Sequence, residues 1–188
     1  SDLSRGTLAT LLRAELWRAS TVVQASRVVR GELPLMRGAV AVTAMLDAVL
    51  QGFAAERRLR HVELIPQVDL PAGHIVIANE AMLAAALAGS IVATLALLDG
   101  AASGRIAVVA GLTATRQLTL VASQDHVRPS TTWAERAFDA GWRDRAGGPT
   151  VALAMAAVER AARAHGGEAT ACVSLKGSRI GLTIPAGA

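Results

Sequence analysis

Apolar residues in the first sixty positions recur every three or four residues. Leu8, Leu11, Leu12, Leu16, Ala19, Val22, Val23 and Val29 form one stripe, which predicts a helix over residues 3–30. Arg5, Arg13, Arg18, Gln24 and Arg27 lie mostly off it. Gly31-Glu32-Leu33-Pro34 stops that helix and suits the start of another. Met36, Ala39, Val42, Leu46, Val49, Leu50 and Phe53 mark a second face, predicting a helix over about residues 35–58. Two long amphipathic helices with a short connection make an antiparallel hairpin. Two stripes exceed what one hairpin can bury, so a homodimeric four-helix bundle is the expected solution.

After Arg60 the period changes. His61 to Leu70 alternates and reads as a strand, Pro71-Ala72-Gly73 as a turn, and Ile75-Val76-Ile77 as a short extended piece. A helix is expected over 80–98, then a Gly-rich loop, then a β-hairpin of Ile106–Ala110 and Gln117–Ala122. Residues 123–149 are polar and irregular, with a short helix at about Thr132–Gly141. A helix from Thr150 to His165 closes on Gly166-Gly167. Two strands, Glu168–Leu175 and Arg179–Ile184, finish the pattern before Pro185. Antiparallel strands with helices on one face make an α+β sandwich. The chain divides into a helical hairpin, 1–60, and an α+β domain, 61–188.

Composition narrows the function. Of 188 residues, 52% are hydrophobic and 18% charged, which excludes a disordered binder. Aromatics are only 3%, too few for the stacking platforms of a single-strand nucleic-acid binder. Lys176 is the only lysine, and the net charge of +4 is an arginine-rich composition bias more than a nucleic-acid surface. Ala81–Leu98 is uncharged, but it is Ala-dominated, carries Gly89, Ser90 and Thr94, and lacks flanking Arg or Trp anchors. A buried core helix is expected there rather than a membrane span. The single cysteine, Cys172, cannot form an internal disulfide and suits a reducing, cytoplasmic compartment. His61, His74, His126 and His165 show no zinc spacing. The chain opens Ser1-Asp2-Leu3, without Met or signal peptide, as a segment of a longer protein would.

The run from Val151 to His165-Gly166-Gly167, two strands and Thr183-Ile184-Pro185 resembles the C-terminal part of the histidine-kinase ATP-binding domain. The 80–98 helix stands where that family carries its Asn-bearing helix. Gln117–Ala122 resembles the strand leading to its Asp-x-Gly-x-Gly box. The hairpin is similar to the family's dimerisation and phosphotransfer domain. The resemblance implies a Bergerat-type α/β sandwich on a dimeric four-helix bundle.

It also implies where chemistry should lie, and the residues there depart from the pattern. The Gly-Leu-Gly-Leu turn reads Ala152-Leu153-Ala154-Met155, so both glycines that let backbone approach phosphate carry a methyl. The magnesium-binding Asn falls near Thr94, and the adenine-binding Asp falls at Ser123, Gln124 or Asp125, of which Asp125 is the only carboxylate and has no glycine after it. Ala14-Glu15-Leu16-Trp17-Arg18 resembles the His-Glu-Leu-Arg box, with Ala14 in the histidine's place. No histidine occurs in the first 60 residues, and phosphoryl transfer to imidazole needs one. The resemblance therefore implies a histidine kinase or phosphotransferase without its nucleotide boxes. No catalytic residue, cofactor or metal is expected. It would be a homodimer acting by binding a response-regulator receiver domain or a kinase-like protein. In that plan Trp17, Arg18 and Thr21 form the partner surface; packing of Trp17 against the ATPase-like domain is the competing expectation. A diverged but active kinase or phosphotransferase is the alternative. Trp133 and Trp142 are expected to pack the 123–149 region against the sheet, and His165 to interact with a helix macrodipole.

Overall fold

A computed structural model describes residues 2–99, 103–139 and 147–186. The order of elements is α1 (Asp2–Val29), β1 (Gly38–Ala41), α2 (Val42–Gly52), α3 (Ala54–Arg60), β2 (Val62–Asp69), β3 (Ile75–Ala78), α4 (Glu80–Leu97), β4 (Gly104–Leu112), β5 (Gln117–Gln124), α5 (Thr131–Arg136), α6 (Gly148–Ala164), β6 (Glu168–Val173) and β7 (Ser178–Pro185).

Five strands form a mixed sheet in the order β2-β4-β5-β7-β6, and β1 and β3 form a second, two-stranded sheet. β2 and β4 run parallel, which requires the intervening α4 as crossover; the other pairs are antiparallel. Strands β4, β5 and β7 alternate, with Ile106, Val108, Leu118, Leu120, Leu182 and Ile184 turned to the helices and fully buried. The other face carries small and polar residues and no helix among those described.

Helix α4 lies in the middle, packed on α6, β5 and β7. Its first turn is capped by Asn79, whose Oδ1 accepts from the Met82 amide at 3.0 Å. Its apolar residues run all round because it is covered on nearly every side; 67% of it is buried. It is the core helix that the Ala-rich composition suggests. Gly89 sets its distance from α6: a Cβ there would stand 2.8 Å from the Ala154 carbonyl oxygen.

One long N-terminal helix forms as expected, but the second does not. Residues 38–41 pair with β3, Gly38 opposite Ala78 and Ala41 opposite Ile75. Residues 42–60 break into α2 and α3 at Phe53. The residues of β1 fit either period locally; strand pairing with a distant segment decides. The stripe of Met45, Leu46 and Val49 is covered by this chain's own core, not by a partner. The hairpin over 3–58 is thus absent from this arrangement: the second stripe is covered within the chain, while much of the α1 stripe stays exposed. Residues 38–60 share a core with the residues beyond 61, so β1, α2 and α3 pack with the sandwich.

α1 lies across α6, α4 and α3. It has two unlike faces. Ala14, Thr21, Ala25 and Val28 are buried beneath it, while Leu8, Leu12, Leu16 and Val23 on the far side are each more than half exposed.

Candidate functional site

The nucleotide positions implied by sequence fall around the α4–α6 seam. Ser130 Oγ accepts from the Trp133 amide and starts α5, which drops the Trp133 indole onto that seam. There Trp133 joins Ala93 of α4, Val151 and Met155 of α6, Ile180 of β7 and Ala137 in a second apolar cluster; all six are buried. The expectation that Trp133 packs its region against the sheet agrees with this. Trp142 lies outside the described residues.

Thr94 is fully buried and its hydroxyl donates to the Ser90 carbonyl one turn back, at 2.8 Å. The bond is spent within the helix. Ala154 is buried beneath Gly89, and Ala152 is half-buried. Asp125 stands apart at the end of β5, its side chain 77% exposed, with His126 Nε2 3.4 Å from its Oδ1. The same Nε2 accepts from the Arg105 amide at 3.0 Å, tying the loop to β4. The residue that organises this strand end is Gln124. Its Oε1 accepts from the amides of His126 and Val127 at 2.8 Å, and its Nε2 donates to Ser178. The fold therefore brings Thr94 and Ala154 to one seam and leaves Asp125 on the surface.

The α1 residues form a separate constellation. Ala14 is fully buried on the inner face, not on an exposed flank where an acceptor imidazole could meet a partner. Trp17 lies edge-on to Phe53, with ring centroids 5.6 Å apart and planes at 76°. Its six-membered ring rests on Gly52, where any Cβ would clash with it. Arg18 donates from Nε and Nη2 to both carboxylate oxygens of Glu56, each at 2.8 Å, and from Nη1 to Glu15. Arg60 meets the same Glu56 at 2.6 Å. Glu56 is 4% exposed and satisfied by two guanidinium groups. Donation to Glu56, working against burial, raises the Arg18 pKa above its ordinary value. Thr21 is buried, its hydroxyl donating to the Trp17 carbonyl at 2.9 Å. In this arrangement Trp17, Arg18 and Thr21 face the chain's own α2, α3 and core. Gly52 supplies a notch for the indole, so Trp17 packs within the chain in this arrangement.

A further junction involves His165. It is buried, Nδ1 donates to the Ala161 carbonyl at 2.7 Å, and Nε2 accepts from the Asn79 amide at 2.9 Å. An acceptor nitrogen must be unprotonated, so this imidazole is neutral. Burial pushes its pKa below 6.5, and Arg37 adds to the shift. Asn79 continues the chain by donating to the Pro34 carbonyl at 2.9 Å. His165 thus joins the end of α6 to the start of α4. It stands at the C-terminal end of α6, as expected, and donates to a carbonyl of the last turn as a neutral ring. Among the described residues no group of three or more His, Cys, Asp or Glu is placed to hold a metal.

No protein-family model and no curated protein matches this chain. Solved structures do. The nucleotide-free catalytic domain of the histidine kinase ThkA superposes with a TM-score of 0.67 at 13% identity, covering 81% of this chain and 99% of that one. Full-length ShkA in complex with AMPPNP gives a TM-score of 0.69 at 19% identity, over 93% of this chain and 37% of that one. ThkA in complex with the response regulator TrrA gives 0.66 at 15% identity, over 92% and 48%. The chain has a histidine-kinase-like fold. At these identities the likeness concerns the fold, and the chain spans about a third to a half of the two longer proteins.

Within the histidine-kinase-like fold, several residues escape sequence reasoning. Gly52, Glu56 and Arg60 matter because α1 folds back onto them, and no local period signals that. Gln124 and Asn79 are polar residues at element ends, where capping could have been foreseen.

Proposed function

We propose that this chain is a two-component signalling protein that keeps the histidine-kinase architecture and works by binding rather than by phosphoryl transfer. The observation that carries the reading is the Trp133 cluster. Trp133, Met155 and Val151 pack the α5 side of the seam between α4 and α6 with apolar side chains, beside the positions that the family resemblance assigns to nucleotide. The residues present there do not fit a nucleotide and its magnesium. Thr94 has spent its hydroxyl on its own helix, Ala152 and Ala154 carry methyl groups where glycines would admit phosphate, and Asp125 is at the surface. The residues around the implied phosphoacceptor support the same reading, since Ala14 is buried and α1 contains no histidine.

The partner is a response-regulator receiver domain or a kinase-like subunit. A neighbour in fold, ThkA, has been solved with a response regulator, which supports the first kind. The division between the helical part and the ATPase-like part falls near Gly31, where α1 ends and β1 to α3 join the sandwich, although Ala25 and Val28 of α1 reach the same core. Self-association runs through the outer face of α1, where Leu8, Leu12, Leu16 and Val23 are exposed. The protein works in the cytoplasm.

The test is binding of purified receiver domains to the immobilised chain, with and without ATP and magnesium. Nucleotide-independent capture of a receiver supports the reading. Phosphate transfer from labelled ATP to this chain or to the receiver would contradict it and favour a diverged, active enzyme.

A further inference from the structure

The sheet face turned away from α4 and α6 is polarised along its strands. Register sets its side chains in rows. At one end Glu63 stands beside Arg105, and the next row carries Ser123, Arg179 and Cys172 on β5, β7 and β6. At the other end the row begins with Asp69 on β2 and finishes with Glu168 on β6. Cations thus gather at one end of the face and carboxylates close the other.

Two open grooves meet at the cationic end. One, of about 620 Å3, is lined by Arg105, Ser123, Asp125 and Arg179. The other, of about 450 Å3, is lined by Arg57, Arg58 and His61 at the end of α3. Glu63 lines the second groove and Arg105 the first, and their ion pair at 3.2 Å joins the two. Glu63 is spent on Arg105. Among the described residues, Arg57, Arg58 and Arg179 have no ion-pair partner. The grooves therefore carry four guanidinium groups against two carboxylates, Glu63 and Asp125.

Unmatched cations on a concave surface draw anions. Neither groove is lined by Phe or Trp, on which a nucleobase would stack. Two carboxylates interrupt the cations, where a phosphate backbone would meet repulsion. Five strands are about 19 Å across, the reach of roughly six residues of extended chain, so the surface is longer than a small anion. Gln67 and Ser123 add groups that can hydrogen-bond a peptide backbone. We propose that this end of the open sheet face binds an acidic, extended segment of a partner protein, its carboxylates pairing with Arg57, Arg58 and Arg179. The site lies apart from the implied nucleotide positions and does not rest on the partner named above.

Fluorescence anisotropy of a labelled glutamate peptide of about eight residues, titrated with the whole chain, reads the outcome. Saturable binding is expected at about 0.05 M salt, weakened at least about tenfold at about 0.5 M. Arg179→Glu, and Arg57→Glu combined with Arg58→Glu, should each weaken it at least about fivefold. Arg179→Gln, which only deletes an exposed charge, should weaken it in the same direction. Arg116→Glu makes the same charge change at an exposed position of the β4–β5 turn, at the acidic end, and should alter binding by less than about twofold. Equal loss in Arg116→Glu would make the attraction one of net charge and overturn the site. Absence of saturable binding at low salt would do the same. So would tighter binding of an oligothymidylate of equal charge, or of anionic lipid vesicles, than of the peptide.

Discussion

Helices α4 and α6 make two contacts of opposite quality. Toward α5 and β7 they meet Trp133, Ala137 and Ile180 in a cluster of buried side chains. Toward α1 they meet mostly small residues and an open cleft of about 420 Å3. Each contact is centred on one tryptophan, so residue type does not make the difference. Trp133 is 7% exposed and surrounded by apolar side chains from three elements. Trp17 lies edge-on to Phe53 and on Gly52 at the rim of the main core and is only partly buried. A side chain closed in on all sides reports on global stability; one held at a seam reports on the seam.

The comparison is most easily broken by truncating both tryptophans. Trp133→Ala should cost about 3–5 kcal/mol in denaturant unfolding, as a large core truncation does. Trp17→Ala should cost less than about 2 kcal/mol in the same global transition, because it loosens a joint. Equal losses would end the distinction between the two contacts. A smaller effect comes from Gly89→Ala, which pushes a methyl against the Ala154 carbonyl. About 1–3 kcal/mol is expected, the usual cost of overpacking. A neutral result would mean that α4 and α6 can slide apart, and that the dense side is less rigid than the geometry implies.

The pH dependence sharpens the picture at the far end of α6. Burial lowers the His165 pKa in the folded state below the ordinary 6.5. Above that value both states are neutral there, and the contribution is fully present. As pH falls below 6.5 the unfolded state takes up the proton first, so stability declines until the folded-state pKa is passed. Thermal melts from pH 8 to pH 5 should show this decline, and His165→Gln should flatten it. The smallest expected stability effect is on the outer face of α1. Leu16→Asp should change unfolding by no more than about 0.5 kcal/mol, since Leu16 is 70% exposed. In light scattering the same variant should shift a dimer toward monomer, and an unchanged dimer would move self-association elsewhere.

How much of this could be read from the sequence differs by segment. The order of strands and helices after Arg60 was legible because each has a clean period and a turn signal, such as Pro71-Ala72-Gly73 or Gly166-Gly167. Residues 35–58 were not, because Ala39-Val40-Ala41 suits either period and pairing with Ile75–Ala78 decides it. The altered nucleotide positions could be located from the resemblance, but not the Trp133 cluster that occupies their neighbourhood. The packing of Trp17 within the chain is hidden from sequence for a related reason. A tryptophan at a stripe edge seeks a cover, and sequence does not reveal that Gly52, 35 positions away, provides it. The place of His165 at the end of α6 is legible in the sequence, but its acceptor role is not, since that depends on the Asn79 amide of another element.

The central claim is that the residues at the implied nucleotide positions do not bind ATP. Isothermal titration of the whole chain with ATP and magnesium tests it directly. No binding tighter than about 1 mM is expected, equivalent to about −4 kcal/mol. A saturable, magnesium-dependent heat in the micromolar range would contradict the claim.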